Sequence, residues 1–204
     1  MKNLFTIAGF HRYIANTSWL IAEKIIRLVV GLFVGVWVAR YLGPEQFGTL
    51  SYAQAFVGLF GAVATLGMDG VVIKHLVKDE GNRDLLLGTA FTLKLLSAMV
   101  ALVFICIVAV TTSNDNKDII IISIIASALV FQSLNVIDFY FQSKVLSRYI
   151  VLVNLISQLI ASLIRIALIL TNAPLIAFAY VILFDAVILA VGYIYVYKHK
   201  NLSF

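Results

Sequence analysis

Long apolar runs separated by short polar links set the pattern of this chain. Six runs stand out, at about 14–39, 48–68, 86–110, 119–139, 149–170 and 175–197. Each is long enough to cross a bilayer as a helix, which takes about 20 mostly apolar residues. The links "RYLGPEQFG", "TTSNDNKD" and "TNAP" carry turn-forming residues, and links this short make consecutive helices antiparallel neighbours in a bundle. Strands of a membrane barrel would be about half as long and would alternate strictly in polarity. No such alternation occurs. A further segment, "VVIKHLVKDEGNRD", sets Val71, Val72, Ile73, Leu76 and Val77 against Lys74, His75, Lys78 and Asp79. That pattern predicts an amphipathic helix lying along the cytoplasmic headgroups.

Composition moves the picture in the same direction. Hydrophobic residues make up 62% of the 204 and charged residues only 12%, with a mean hydropathy of +1.04. A soluble domain carries about 25% charged residues and needs them to cover its surface. The single cysteine, Cys106, lies in "ALVFICIVAV" and reads as a small buried apolar residue, which excludes a disulfide framework or thiolate metal site. His75 has no second histidine at metal-ligand spacing and reads as a solvated surface residue. Nothing in the chain calls for a metal or cofactor. The expected fold is all-α: a polytopic membrane protein whose residues 1–204 form a single bundle of six transmembrane helices.

The distribution of basic residues orients the bundle. With the N-terminus in the cytoplasm, one side receives Lys2, Arg12, Lys74, Lys78, Arg83, Lys144, Arg148, Lys198 and Lys200, and the other only Arg40 and Lys117. This bias places both termini inside. The formal net charge of +5 is therefore mainly a topology signal rather than a nucleic-acid-binding patch. No cleavable signal peptide is expected, because charges interrupt the N-terminal hydrophobic stretch.

Charged and polar residues inside the runs need a separate reason. A charge at the centre of a bilayer helix costs about 2.5–3.5 kcal/mol on insertion scales, yet Glu23, Lys24 and Arg27 all fall within the first run. Asn16, Glu23 and Arg27 align on one helix face, with Gly31, Gly35 and Ala39 beyond them in a small-xxx-small pattern. On the second run Gln54, Gly58, Gly61 and Thr65 repeat the theme. On the fourth, Ser123, Ser127, Asn135, Asp138 and Gln142 share a face, and on the fifth Asn154, Gln158, Ser162 and Arg165 form a stripe. Polar groups at this depth face protein or a wet cavity. The bland account is that the small ones hold helices together, that Glu23 and Arg27 neutralise each other, and that Lys24 and Lys94 snorkel to the nearby headgroups. Asp69 and Asp138 fall at the cytoplasmic boundary and need no special role. At about 1.5 Å of rise per residue, Arg27 and Asp185 come out near mid-depth and Arg165 in the outer half. Lys24, Lys94, Arg27 and Arg165 thus step across the bilayer against two deep acids, Glu23 and Asp185. A positive excess of this kind suits an anionic cargo such as a phosphate-bearing headgroup. The cationic route is assigned to Lys24, Arg27, Lys94 and Arg165, and its polar lining to Glu23, Asn135, Asn154, Gln158 and Asp185.

The stretch "ARYLGPEQFGTLSYAQAFVGLFGAVATLGMDG" resembles the start of bacterial polysaccharide-repeat flippases of the multidrug/oligosaccharidyl-lipid/polysaccharide exporter superfamily. Ala39, Arg40, Leu42, Gly43, Pro44, Glu45, Phe47 and Gly48 match the pattern "ARxLGPExFG", and the order of spans is similar along the whole chain. The motif has physical content as a tight turn, in which Gly43 supplies backbone freedom and Pro44 starts the next helix. The resemblance implies one half of a MATE-like exporter in the bacterial inner membrane. It implies a transporter of undecaprenyl-diphosphate-linked oligosaccharide units for O-antigen, capsule or exopolysaccharide synthesis. Its basic residues would meet the diphosphate, and its Ser, Asn and Gln stripes the sugar hydroxyls. Such transporters have about twice as many spans in two similar halves, so the partners expected are the lipid-linked oligosaccharide, membrane lipids, and a second six-helix half or a second copy. A truncated gene product is the favoured explanation of the length. The alternatives are a cation-coupled drug exporter, which would favour acids over bases in its cavity, a membrane glycan-assembly enzyme, and a non-transporting subunit. The enzyme needs paired acids, a metal site or large outer loops, and "NDNKD" reads instead as a solvated turn.

Overall fold

The computed structural model describes residues 7–64, 67–78, 82–112 and 115–199. Of the residues used above, Lys2, Thr65, Asp79 and Lys200 lie outside the described residues. The described chain is helical throughout: α1 (Ile7–Ala64), α2 (Asp69–Lys78), α3 (Arg83–Thr112), α4 (Asn116–Gln132), α5 (Val136–Ser143), α6 (Arg148–Leu170) and α7 (Leu175–His199). A 3₁₀ turn, Ser133–Asn135, joins α4 to α5.

The long α1 is two helices joined end to end. At Gly43 the backbone leaves the helical region (φ 72°, ψ 174°), a conformation open essentially to glycine alone. Pro44 follows, where its missing N–H costs nothing at a helix start. The chain reverses here. In the first arm (residues 7–42), Asn16 meets Ser147 beside the start of α6, and Tyr41 reaches Ala173 beyond its end. In the second arm (44–64), the chain returns until Gly61 packs against Leu129, and beyond that arm Asp69, at the start of α2, meets Lys94. Among the described residues, five helical stretches are long and apolar enough to cross a membrane: the bent α1 over Asn16–Ala62, α3, α4 and α5 taken together (Asn116–Ser143), α6 and α7. The two arms of α1 correspond to the first two expected spans. The fourth expected span is divided by the 3₁₀ turn into α4 and α5.

Two apolar cores are stacked along the bundle. The first joins Val34, Val38 and Leu42 of the first arm and Leu50, Ala53 and Val57 of the second to Ile105, Ile121, Ile125 and Phe178. The second joins Leu76 of α2 to Leu87, Val136, Phe141, Ile150, Tyr193 and Tyr197. Leu96, Val100, Leu159 and Leu170 stand exposed on the outside, as lipid-facing residues do. The amphipathic segment is helical as its pattern indicated, but its apolar side divides. Val72, Ile73 and Leu76 dock on the second core, whereas Val71 and Val77 are exposed. The segment is thus held by the bundle itself.

Candidate functional site

Two polar stripes read separately from the sequence face each other in the structure. The first arm of α1 and α6 run parallel, and their polar residues meet rung by rung. Asn16 makes a two-point clasp on Ser147, donating from Nδ2 to Oγ (3.1 Å) and accepting the Ser147 backbone N–H at Oδ1 (2.9 Å). Further along, Glu23 is buried and its Oε1 accepts from Asn154 Nδ2 at 2.8 Å. The Tyr193 hydroxyl on α7 donates to Asn154 Oδ1 at 2.8 Å. Arg27, one turn above Glu23, approaches the same carboxylate at 3.5 Å while 44% of its side chain stays exposed. Beyond that, Gln158 comes up against Gly31. A buried carboxylate is tolerable in a low-dielectric interior only when its lone pairs are taken, and Asn154 and Arg27 do this for Glu23. Tyr193 then fixes the amide's orientation.

A second group lies further along α6 and α7. Ser157 is buried and its hydroxyl donates to an Asp185 carboxylate oxygen at 2.5 Å. Arg165 is partly buried within electrostatic reach of Asp185. Asp185 on α7 is thus tied to α6 through the Ser157 hydroxyl.

The third group belongs to Lys94. Its ammonium does not snorkel to the headgroups as its depth suggested. Lys94 is only 6% exposed, its Nζ lies 2.6 Å from Asp69 Oδ1 and 4.3 Å from the centre of the Phe139 ring. Asp69, which the sequence left without a role, is therefore the partner of the most buried base among the described residues. A cavity of about 60 Å³ opens beside this pair, lined by Gly61, Gln132, Ser133 and Asn135 among others. The 3₁₀ turn brings Asn135 to this cavity by turning the chain more tightly than an α-helix.

The assigned residues therefore fall into three places. The structure brings Glu23, Arg27 and Asn154 together, with Gln158 on the same seam; it sets Arg165 near Asp185; and it puts Lys94 with Asn135. Lys24 is exposed on the first arm. Of the fourth-span stripe, Ser123 and Ser127 donate to carbonyls of their own helix, and Asp138 accepts from Gln142 at 2.9 Å. Tyr193 and Ser157 were not singled out in the sequence. Tyr193 sits eight residues after Asp185, at helical spacing, and that register was the available signal. Among the described residues no group of three or more His, Cys, Asp or Glu side chains is placed to hold a metal ion.

No curated protein and no solved structure matches the chain. Residues 13–204 match the family model described as "Polysaccharide biosynthesis protein". With that match over nearly its whole length, the chain belongs to this family, as a multi-pass membrane protein of transporter type rather than an enzyme, linked to polysaccharide biosynthesis.

Proposed function

We propose that the protein moves polyprenyl-diphosphate-linked oligosaccharide units from the inner to the outer leaflet of the bacterial inner membrane, supplying O-antigen, capsule or exopolysaccharide synthesis. The observation that carries this reading is the placement of charge on the first arm of α1. Lys24 is exposed and Arg27 half-exposed within an apolar span, where contact with lipid tails would be costly. The second arm likewise exposes Ser51, Gln54 and Gly58. Such a surface fits a water-filled route better than lipid. Lys24, Arg27, Lys94 and Arg165 supply the positive field for a diphosphate, while Glu23, Asn135, Asn154, Gln158 and Asp185 line the route and offer hydrogen-bonding groups to sugar hydroxyls. In this reading residues 1–204 form a single bundle resembling half of a MATE-like exporter, with both termini cytoplasmic. The polar face of α1 is closed by a second six-helix bundle, either another domain or another copy. Alternating access then needs relative motion of the two bundles around the cargo.

The test is a charge reversal in the native cell. Arg27→Glu and Arg165→Glu variants at unchanged membrane abundance are expected to lose most surface polysaccharide and to accumulate lipid-linked units on the inner leaflet. Undiminished polysaccharide in both variants removes the cationic route.

A further inference from the structure

The Lys94 site pairs a deeply buried cation with an anion that is not buried. Lys94 is 6% exposed at its side chain, whereas the Asp69 side chain is 51% exposed. Ion pairs with both partners buried are hard to exchange, because removing one leaves the other uncompensated in a low dielectric. Here the cation is fixed and the anion stands at the rim. Lys94 is held over the Phe139 ring by a cation–π contact, which supplies attraction without neutralising it. Asp69 has a second source of stabilisation besides Lys94. It lies in the first turn of α2, where the helix's positive N-terminal end favours a carboxylate.

The surroundings of the pair are also built for exchange. The adjoining cavity of about 60 Å³ admits water but is too small for a diphosphate while Asp69 holds its place. Its wall includes Gln132, Ser133 and Asn135, at the break between α4 and α5, so hydrogen-bonding side chains stand beside the ammonium. On its other side α2 packs on the second core through Leu76, with Val72 and Ile73 only partly buried beside it. A ten-residue helix with one fully buried residue opens at lower free energy than the core spans do.

We propose that Asp69 is a built-in stand-in for the cargo's phosphate. Lys94 holds the carboxylate at rest, and an incoming diphosphate on a polyprenyl lipid displaces it, taking the ammonium and freeing α2 from α3. This rests on the transport reading above and gives it a loading step. The exchange breaks no covalent bond. One anion leaves Lys94 as another arrives, so the ammonium is never left without a counter-charge, and the released Asp69 moves into water at the membrane surface. α2 thereby reports whether the site is loaded.

The experiment uses the full chain in nanodiscs of neutral lipid, with polyprenyl diphosphate, inorganic pyrophosphate and phosphatidylglycerol as separate probes. Two readouts are taken: probe affinity, and amide hydrogen exchange of α2. Polyprenyl diphosphate is expected to speed exchange across Asp69–Lys78 in the unaltered protein. Asp69→Asn should bind it about tenfold more tightly, and Lys94→Gln about tenfold more weakly, the scale of one charged hydrogen bond. Should either variant fold poorly, exchange in the unaltered protein decides the matter. A weaker but parallel effect of pyrophosphate supports the exchange, since the phosphate chemistry is the same. An equal effect of phosphatidylglycerol overturns it, because any anionic lipid would then serve. Binding of polyprenyl diphosphate with α2 unmoved and Asp69→Asn unchanged in affinity sinks the stand-in and leaves the transport reading intact. No binding of polyprenyl diphosphate to any form removes both.

Discussion

Asn154 is the residue on which the α1–α6–α7 contact turns. It gives its amide N–H to Glu23 and its carbonyl to Tyr193, so one side chain joins three helices. Replacing it with leucine leaves a buried carboxylate short of a donor and a buried phenol short of an acceptor. Each such loss costs more than a hydrogen bond is worth when both partners are present. Asn154→Leu should therefore lower stability by about 2 kcal/mol, and Tyr193→Phe by about 1 kcal/mol or less, since hydrogen bonds between membrane helices average well under that. Thermal unfolding of both variants in one detergent checks the order; equal midpoints would show that Glu23 finds other donors. None of this pairing was readable beforehand. The spacing of Asn154, Gln158, Ser162 and Arg165 showed a polar face on α6, but periodicity does not say which neighbouring helix that face meets. Lys94 makes the same point more sharply. Its depth was legible, but its direction was not, because tucking in rather than snorkelling depends on where Asp69 and α2 come to rest.

At the level of the helix, glycine decides two junctions of different kinds. Gly43 closes the reversal of α1 at φ 72° and ψ 174°, and no side chain can relieve the clash that a Cβ creates there. Gly43→Ala should cost about 1–3 kcal/mol and reduce the folded yield. Gly192 is a packing glycine. A Cβ at that position would run into the Val153 side chain, while one at Gly35 would meet nothing within 4 Å. Gly192→Leu is thus expected to push α6 and α7 apart and lower the unfolding temperature, Gly35→Ala to leave it unchanged, and Val153→Ala to restore part of the Gly192→Leu loss. An equal response at Gly35 and Gly192 would refute this assignment. The contrast shows what the sequence offered. "YLGPEQFG" announced a turn through residue chemistry alone, and a turn is there. "GLFVG" announced a close helix approach, yet the tight contact lies at Gly192 in "AVGYIY", which has no small residue four positions away. Likewise the apolar run 119–139 gave no sign of the 3₁₀ break, since Ser133, Leu134 and Asn135 are all compatible with a continuing helix.

Taken as a whole, the molecule has a charged end and a sparsely charged one. Lys74, Lys78, Lys144, Arg148 and Lys198 gather where α2, α5 and the end of α7 meet, and Arg40 and Lys117 lie toward the opposite end, with Gly43. With Cys106 replaced by serine, a cysteine at position 117 should react with an impermeant maleimide from outside intact cells. One at position 198 should react only after permeabilisation; the reverse pattern would invert the topology. Long apolar runs made the course of the spans legible, because they depend on composition over many residues. The contacts that shape the interior depend on individual side chains far apart in the chain. That separation has a further bearing on biogenesis. Glu23 and Asn154 are 131 residues apart, and so are Asn16 and Ser147. At synthesis rates of about 5–20 residues per second, Glu23 leaves the ribosome roughly ten seconds before its amide partner exists. During that interval the first helix carries an acid with only Arg27 to screen it. The insertion machinery has to shelter this helix until the fifth crossing arrives, so the seam that steadies the mature bundle closes only late in synthesis.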